Sequence, residues 1–386
     1  MSEFRTIREL CSVVVDCPHS TPKWIANGKI VIRNKNIKHG KIDFSSPSYT
    51  DDEHFAQRIK RAKPQPGDII ITREAPIGDV GMIPENTECC LGQRMVLLRA
   101  NQSVCDNFYL LYSLQSLYVQ HQISWSEGTG TTVSNLRIPH LEQIQIPYLP
   151  LEQQAKISSV LRALEEKIEN NRRLNDNLQQ QAAALFSSLY DRTNTEVRFT
   201  DLIQILGGGT PKTGENTYWN GNIAFFTPKD VGTPYTLITE KTITEEGLSH
   251  CNSRLYPVNT VFVTARGTVG KVGMSGVPMA MNQSCYALVG KETHQLLVYF
   301  YTLKAVDRLK HKASGAVFDA ITTRDFESEQ IMKLSDDDAK AFLCIAEPMF
   351  QKVLNNCIEN LRLSTLRDSL LPKLMSGEVD VSAVQL

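Results

Sequence analysis

The chain has 386 residues, 41% of them hydrophobic and 22% charged, with 41 Lys+Arg against 42 Asp+Glu and a formal charge of −1. That length exceeds one ordinary core and predicts two or three modules, and the charge balance excludes a uniformly basic nucleic-acid coat. No apolar run reaches the ~18 residues of a spanning helix, and the opening MSEFRTIREL lacks a signal peptide's apolar stretch, so a cytoplasmic protein with no membrane partner is expected.

The nine cysteines are odd in number and lack CxxC spacing, which points to reduced thiols rather than a zinc site. Cys89 and Cys90 read as neighbours on a strand that point to opposite faces. A local cationic run (Arg33, Lys35, Lys38, Lys41, Arg58, Lys60, Arg61, Lys63) is either a nucleic-acid surface or a solvated loop face.

In chain order, residues 1–150 form a first domain. TPK at Thr21–Lys23 and VIRNKNI at Val31–Ile37 precede PGDIIITREAPIGDVG at Pro66–Gly81; Gly92-Gln93 and EGTGTTVSNL at Glu127–Leu136 follow. Short β-branched runs such as IIIT and MVLL read as strands, and Phe108–Gln122 reads as one helix by its apolar spacing. Residues 151–192 then lack Pro and Gly as far as Leu189 and carry Ile157, Leu161, Leu164, Ile168, Leu178, Ala182, Leu185 and Leu189 at coiled-coil spacing.

The same series returns about 190 residues later. In a second domain over 193–335, TPK recurs at Thr210–Lys212, FFTPKDV stands at Phe225–Val231 and PVNTVFVTARGTVGKVG at Pro257–Gly273. Asn282-Gln283 and ASGAVFDAI at Ala313–Ile321 complete the order, with a helix expected over Leu296–His311. Thr72, Gly78 and Gly81 match Thr264, Gly270 and Gly273 at a constant offset. A second helical segment, 336–376, repeats the seam 185 positions on as Phe342, Ala346, Met349, Val353, Leu363, Leu370 and Leu374, with Arg367 where Ala182 stood; 377–386 is a tail. Pro348 should bend this helix or start it afresh.

The expected fold is therefore α+β, with two similar domains joined by two long helices that pair as an antiparallel coiled coil about a pseudo-twofold axis. Forty helical residues span about 60 Å. Asn171 and Asn175 on the first helix, and Asn356 and Asn360 on the second, read as register keys, because a buried amide is satisfied only by its proper partner. Two unlike readers on a rigid spacer suit a bipartite, asymmetric DNA target, since readers of split sites stand about 34 Å or a multiple apart. A scaffold that presents two protein-binding domains fits the same shape.

TDLIQILGGGTPKTGENTYWNGNIAFFTPKDV (Thr200–Val231), TARGTVGKVG, PLEQQAKI (Pro150–Ile157) and LRDSLLPKLMSGEV (Leu366–Val379) together resemble the specificity subunit of type I restriction-modification systems. The resemblance implies two target-recognition domains that each read one half of double-stranded DNA's split site. It also implies two modification subunits that methylate adenine with S-adenosylmethionine, and restriction subunits that translocate and cut DNA with ATP and Mg2+. No cofactor is expected on this chain. Two departures stand out: DCPHSTPKW replaces the glycine-rich GGGTPKT in the first domain, and SDDDAK (Ser335–Lys340) replaces PLEQQ in the second helix, so the second docking surface is expected to differ.

Base and phosphate contacts need polar or cationic groups on exposed loops. The candidates in the first domain are Thr21, Lys23, Arg33, Asn34, Lys35, Arg73, Gln93, Arg94 and Thr129. In the second they are Thr210, Lys212, Thr227, Lys229, Arg266, Lys271, Asn282 and Gln283. The shared glycines are expected to build turns. GGGTPKTGE fails the P-loop pattern, because Gly214 precedes Glu215 rather than Lys-Ser/Thr. The eight histidines form no HExxH or close pair, and no methyltransferase motif or GxGxxG occurs, so no catalytic or metal-binding residue is expected.

Overall fold

A computed structural model of the chain describes residues 3–38, 40–125, 135–232, 234–312 and 320–381. They divide into two compact units: Met1–Lys167 with Leu363–Leu386, and Ile168–Arg362. Both units are α+β, and each of the two long helices, Leu151–Tyr190 and Asp336–Ser376, contributes one part to each unit.

In the first unit an antiparallel sheet runs Cys11–Asp16, Met95–Ala100, Ile69–Thr72, Val80–Met82. Ile69–Thr72 is buried on both faces, which is why it reads as continuous IIIT rather than as an alternation. Ile69 and Ile71 join Tyr109, Leu110, Ile157, Leu161 and Leu374 in the helical core. Ile70 and Leu97 face the other way, onto Ile32, Cys89 and Leu91. Those last belong to a second sheet, Ser48–Thr50, Lys29–Ile32, Cys89–Leu91, in which Lys29–Ile32 runs parallel to Cys89–Leu91.

The second unit repeats the plan. Ile203–Gly207, Cys285–Gly290, Val261–Thr264 and Val272–Ser275 take the same order, with Tyr235–Thr236 added at the edge. Val261 and Val263 face the helical core, while Phe262 packs on Phe226 and Met281. Lys241–Ile243, Trp219–Phe226 and Met279–Met281 form the second sheet, again with one parallel pair. The shared turn is reproduced bond for bond. Gly78 N–H donates to the Thr72 carbonyl and Gly270 N–H to that of Thr264, each at 2.9 Å. Each threonine Oγ1 accepts the next N–H, from Asp79 or Lys271, also at 2.9 Å. The glycines hold φ of +82° and +73°, a left-handed backbone that a side chain would strain.

Three expectations need revision. Phe108–Gln122 is not one helix but two, Asn107–Gln115 and Leu117–Trp125, divided at Ser116. Ser116 is extended (ψ 147°); its hydroxyl donates to the Ser113 carbonyl at 2.6 Å and accepts the Val119 N–H at 3.4 Å, so it caps the second helix. Pro348 does not start the helix afresh: Asp336–Ser376 continues through it. The carbonyl deprived of a partner belongs to Cys344, an exposed residue whose backbone water can reach. Phe186, absent from the expected seam, is 1% exposed and central to the second core.

Inside the second unit the long helices pair antiparallel. Asn171 Nδ2 donates to Asn360 Oδ1 at 2.9 Å and to Glu359 Oε2 at 2.8 Å. One turn on, Asn356 Nδ2 donates to Asn175 Oδ1 at 2.8 Å, and both of these residues are buried.

Candidate nucleic-acid interface

Four loops of the first unit leave the ends of Cys11–Asp16, Lys29–Ile32, Ile69–Thr72 and Cys89–Leu91, and hydrogen bonds tie them into one cluster. Gly92 N–H meets the Ile32 carbonyl at 2.7 Å, and Arg73 N–H meets that of Arg94 at 2.8 Å. Gln93 Nε2 donates to the His19 carbonyl and, at 3.4 Å, to Thr21 Oγ1. Asn34 Nδ2 donates to the Glu74 carbonyl at 2.6 Å, and Glu74 receives Asn135 Nδ2 at 2.8 Å and Arg94 Nε at 3.4 Å. Between the loops lies an open pocket of about 360 Å³ lined by Trp24, Arg33, Asn34, Lys35, Gln93 and Arg94, among others. Arg33 lies 5.0 Å over the ring of Trp24, which is half-exposed. Ala75 and Arg94, on the pocket wall, hold φ of +45° and +66°, strained conformations that cluster at binding sites.

The second unit brings the matching positions together. Thr210 Oγ1 donates to Gln283 Oε1, as Thr21 meets Gln93. Asn282 N–H meets the Phe226 carbonyl at 3.0 Å, and Ala265 N–H meets that of Ser284 at 2.8 Å. Thr227 bonds Asp230 through N–H (2.8 Å) and Oγ1 (2.6 Å), while Thr268 Oγ1 reaches the Pro228 carbonyl at 3.2 Å. Lys212, Arg266, Lys271 and Gln283 are exposed, and Lys229 is exposed beside Glu240 at 3.5 Å.

Not every candidate faces outward. Arg73 is the main correction: it is 9% exposed, and its guanidinium donates to Leu136 O at 2.9 Å, to both Asp16 oxygens at 2.8 Å and to Asn135 Oδ1 at 3.2 Å. It is a strut beneath the loops, and Ala265 stands in its place in the second unit. Asn34 braces Glu74 and Ala75 rather than pointing its amide freely outward, and Thr227 is committed to Asp230. Lys23 is exposed but pairs with Asp51 at 3.4 Å. Thr129 lies outside the described residues.

The cationic run also divides. Arg58 is buried and donates to the carbonyls of Leu91 (2.7 Å), Ser20 (2.9 Å) and Pro18 (3.1 Å), so it fastens two of the loops; burial pushes its pKa down. Asp51 is held at about 2, first by the His54 N–H, then by the His54 ring and Lys23. Trp24 and Asn135 escaped sequence reasoning, although a tryptophan directly after the repeated TPK is a visible signal. Among the described residues no group of His, Cys, Asp or Glu could hold a metal ion, and no helix is long and apolar enough to cross a membrane.

With this geometry in place, comparison with known proteins is informative. Residues 4–180 and 192–333 match the family model of the type I restriction modification DNA specificity domain. The type I restriction enzyme MjaIX specificity subunit of Methanocaldococcus jannaschii is 23% identical over 95% of this chain and 87% of its own length. The HindI specificity subunit of Haemophilus influenzae is 28% identical over 47% of this chain and 40% of its own. The crystal structure of the type I restriction-modification S subunit from M. genitalium superposes with a TM-score of 0.61 at 18% identity, covering 97% of this chain and 96% of that one, which shows a shared fold.

Proposed function

Because the chain belongs to the type I restriction-modification DNA specificity family, as a specificity subunit with two target-recognition domains, we propose that the two loop clusters read the two halves of a bipartite, asymmetric DNA target. The observation that carries this reading is the repeated pairing of Thr21 with Gln93 and of Thr210 with Gln283, at the same strand ends of both units. The pairs leave different groups over. Gln93 commits its amide nitrogen to His19 and Thr21, so Oε1 remains to accept from an exocyclic amine. Gln283 commits Oε1 to Thr210, so its amide remains to donate to a base acceptor. Arg33, Lys35, Lys212, Arg266 and Lys271 supply phosphate contacts, which position the duplex without specifying sequence.

In this reading the chain performs no catalysis. Modification subunits dock on it and methylate one adenine in each half, flipped out of the duplex; restriction subunits translocate and cut. S-adenosylmethionine, ATP and Mg2+ belong to those partners. The facing Asn171–Asn360 and Asn175–Asn356 pairs act as register keys of the long helices. The test is methylation mapping of genomic DNA with and without the gene for this chain. A split adenine motif that disappears on deletion supports the reading, and a methylome unchanged while the modification subunits remain active overturns it.

A further inference from the structure

The pocket between the loops of the first unit is built from residues that the second unit does not repeat. Thr213, Thr227 and Pro228 stand where the first unit has Trp24, Arg33 and Asn34. Ala75, at a φ of +45°, holds a left-handed backbone that the second unit gives to Gly267, at +80°. Glycine adopts that conformation without cost and alanine does not, so the first unit keeps strain on this wall.

Two carboxamides that line the pocket are turned the same way. Gln93 sends Nε2 to the His19 carbonyl and to Thr21 Oγ1, which leaves Oε1 over. Asn34 sends Nδ2 to the carbonyls of Glu74 (2.6 Å) and Ala75 (3.5 Å), and its Oδ1 is buried with no hydrogen-bond partner among the described residues. An acceptor withdrawn from water and left unmet costs free energy until a donor arrives. The side chains of Arg33 and Lys35, which flank Asn34, are exposed and can yield to an entering group. Beside these acceptors stand the half-exposed ring of Trp24 and the Arg33 guanidinium, 5.0 Å over it.

A hollow cannot read a base edge inside a groove, which only a protruding element reaches. It holds what projects from the duplex, either a phosphate or a base turned out of its stack. A phosphate is met by donors, and an aromatic face with two carboxamide oxygens offers it the reverse. A base has a face to lay on indole or guanidinium and, in adenine, cytosine or guanine, an exocyclic amine to give to an acceptor. We infer that this pocket receives one amino base, swung out of the first half-site, while Arg33 and Lys35 meet the phosphates that flank it. The volume of about 360 Å³ has the scale of a small-molecule site. The inference rests on the proposed DNA reading and makes its two halves unequal: this chain extrudes a base from the first half-site and none from the second.

The test uses the chain assembled with modification subunits and a duplex of the mapped target, the two methylated adenines and their partners being left out of the series. An abasic site placed opposite each remaining base in turn removes the cost of unpairing in advance. At one position of the first half-site it should tighten binding about tenfold, and at no position of the second. Trp24→Ala should abolish this gain and Trp24→Phe should keep it. No gain at any position, or a gain that survives Trp24→Ala, overturns the inference, and the series on the unsubstituted chain decides alone should the variant fail to fold. Thymine at the responding position should remove the gain; an equal gain with thymine rejects the amine. Methylphosphonates whose loss of affinity depends on Trp24, without any abasic gain, name a phosphate as the occupant and overturn the inference, as does adenosine monophosphate that competes with the duplex only while Trp24 is present. If the complex binds no target duplex at all, the DNA reading itself has failed, which is a separate result.

Discussion

The two units build one joint from opposite chemistries. In the first, Tyr112 donates to Glu165 at 3.0 Å and Arg367 approaches the same carboxylate at 3.5 Å, beside the Gln154 and Asp106 bonds. In the second, Phe300 and Phe350 take the places of Tyr112 and Glu165, and Phe186, Phe300, Phe342 and Phe350 pack with ring centroids 5.0 to 5.5 Å apart. An aromatic joint depends on volume. A polar joint depends on every partner, because one missing member strands the rest.

That contrast predicts effects of descending size. Phe300→Ala should cost about 3–5 kcal/mol of second-unit stability by opening a cavity. Denaturant unfolding followed by hydrogen exchange should show the loss confined to residues 168–362; a loss spread evenly over both units would break the comparison. Arg73→Ala should cost the first unit about 3 kcal/mol, since Asp16 and the Leu136 carbonyl lose their shared donor. Lys35→Ala should instead leave stability unchanged and lower the slope of log affinity against log salt by about 1. An exchange of these outcomes would place Arg73 on the DNA and return Lys35 to the scaffold.

Gln154→Ala should cost about 1–3 kcal/mol, the penalty of leaving the Val104, Leu149 and Asp106 backbone groups unmet. A Tm equal to that of the unsubstituted chain would mean that these bonds add nothing to the joint. The smallest effect concerns the matching short helices. Asp51 caps Asp52–Arg58, whereas neutral Thr244 caps Glu245–Ser249. Asp51 titrates at about 2, below the ordinary 3.8, so its contribution is present above pH 4 and lost as pH falls toward 2. The stability difference between the chain and Asp51→Asn should shrink over that window, while Thr244→Ala should shift stability equally at both pH values. Thermal melts from pH 2 to 7 provide the check.

Much of this was legible in the chain. The internal repeat, the strands IIIT and TVFVT and the a/d seam with its asparagines are properties of spacing, and spacing survives without knowledge of distant partners. The loops carrying Thr21, Gln93, Thr210 and Gln283 are visible in the sequence because they recur in the same order, 189 and 190 positions apart. What the tertiary structure alone decided was direction. Arg73 and Arg33 are equally cationic loop residues in sequence, but Arg73 turns inward because Asp16, 57 residues away, and Leu136, 63 away, converge on it. Ser116 divides a helix that periodicity would continue, because its hydroxyl serves the backbone on either side. Gln154 and Ala339 stand 185 positions apart on the two seams, but what Gln154 does, bonding the carbonyls of Val104 and Leu149 and the Asp106 N–H, exists only where three backbone segments meet.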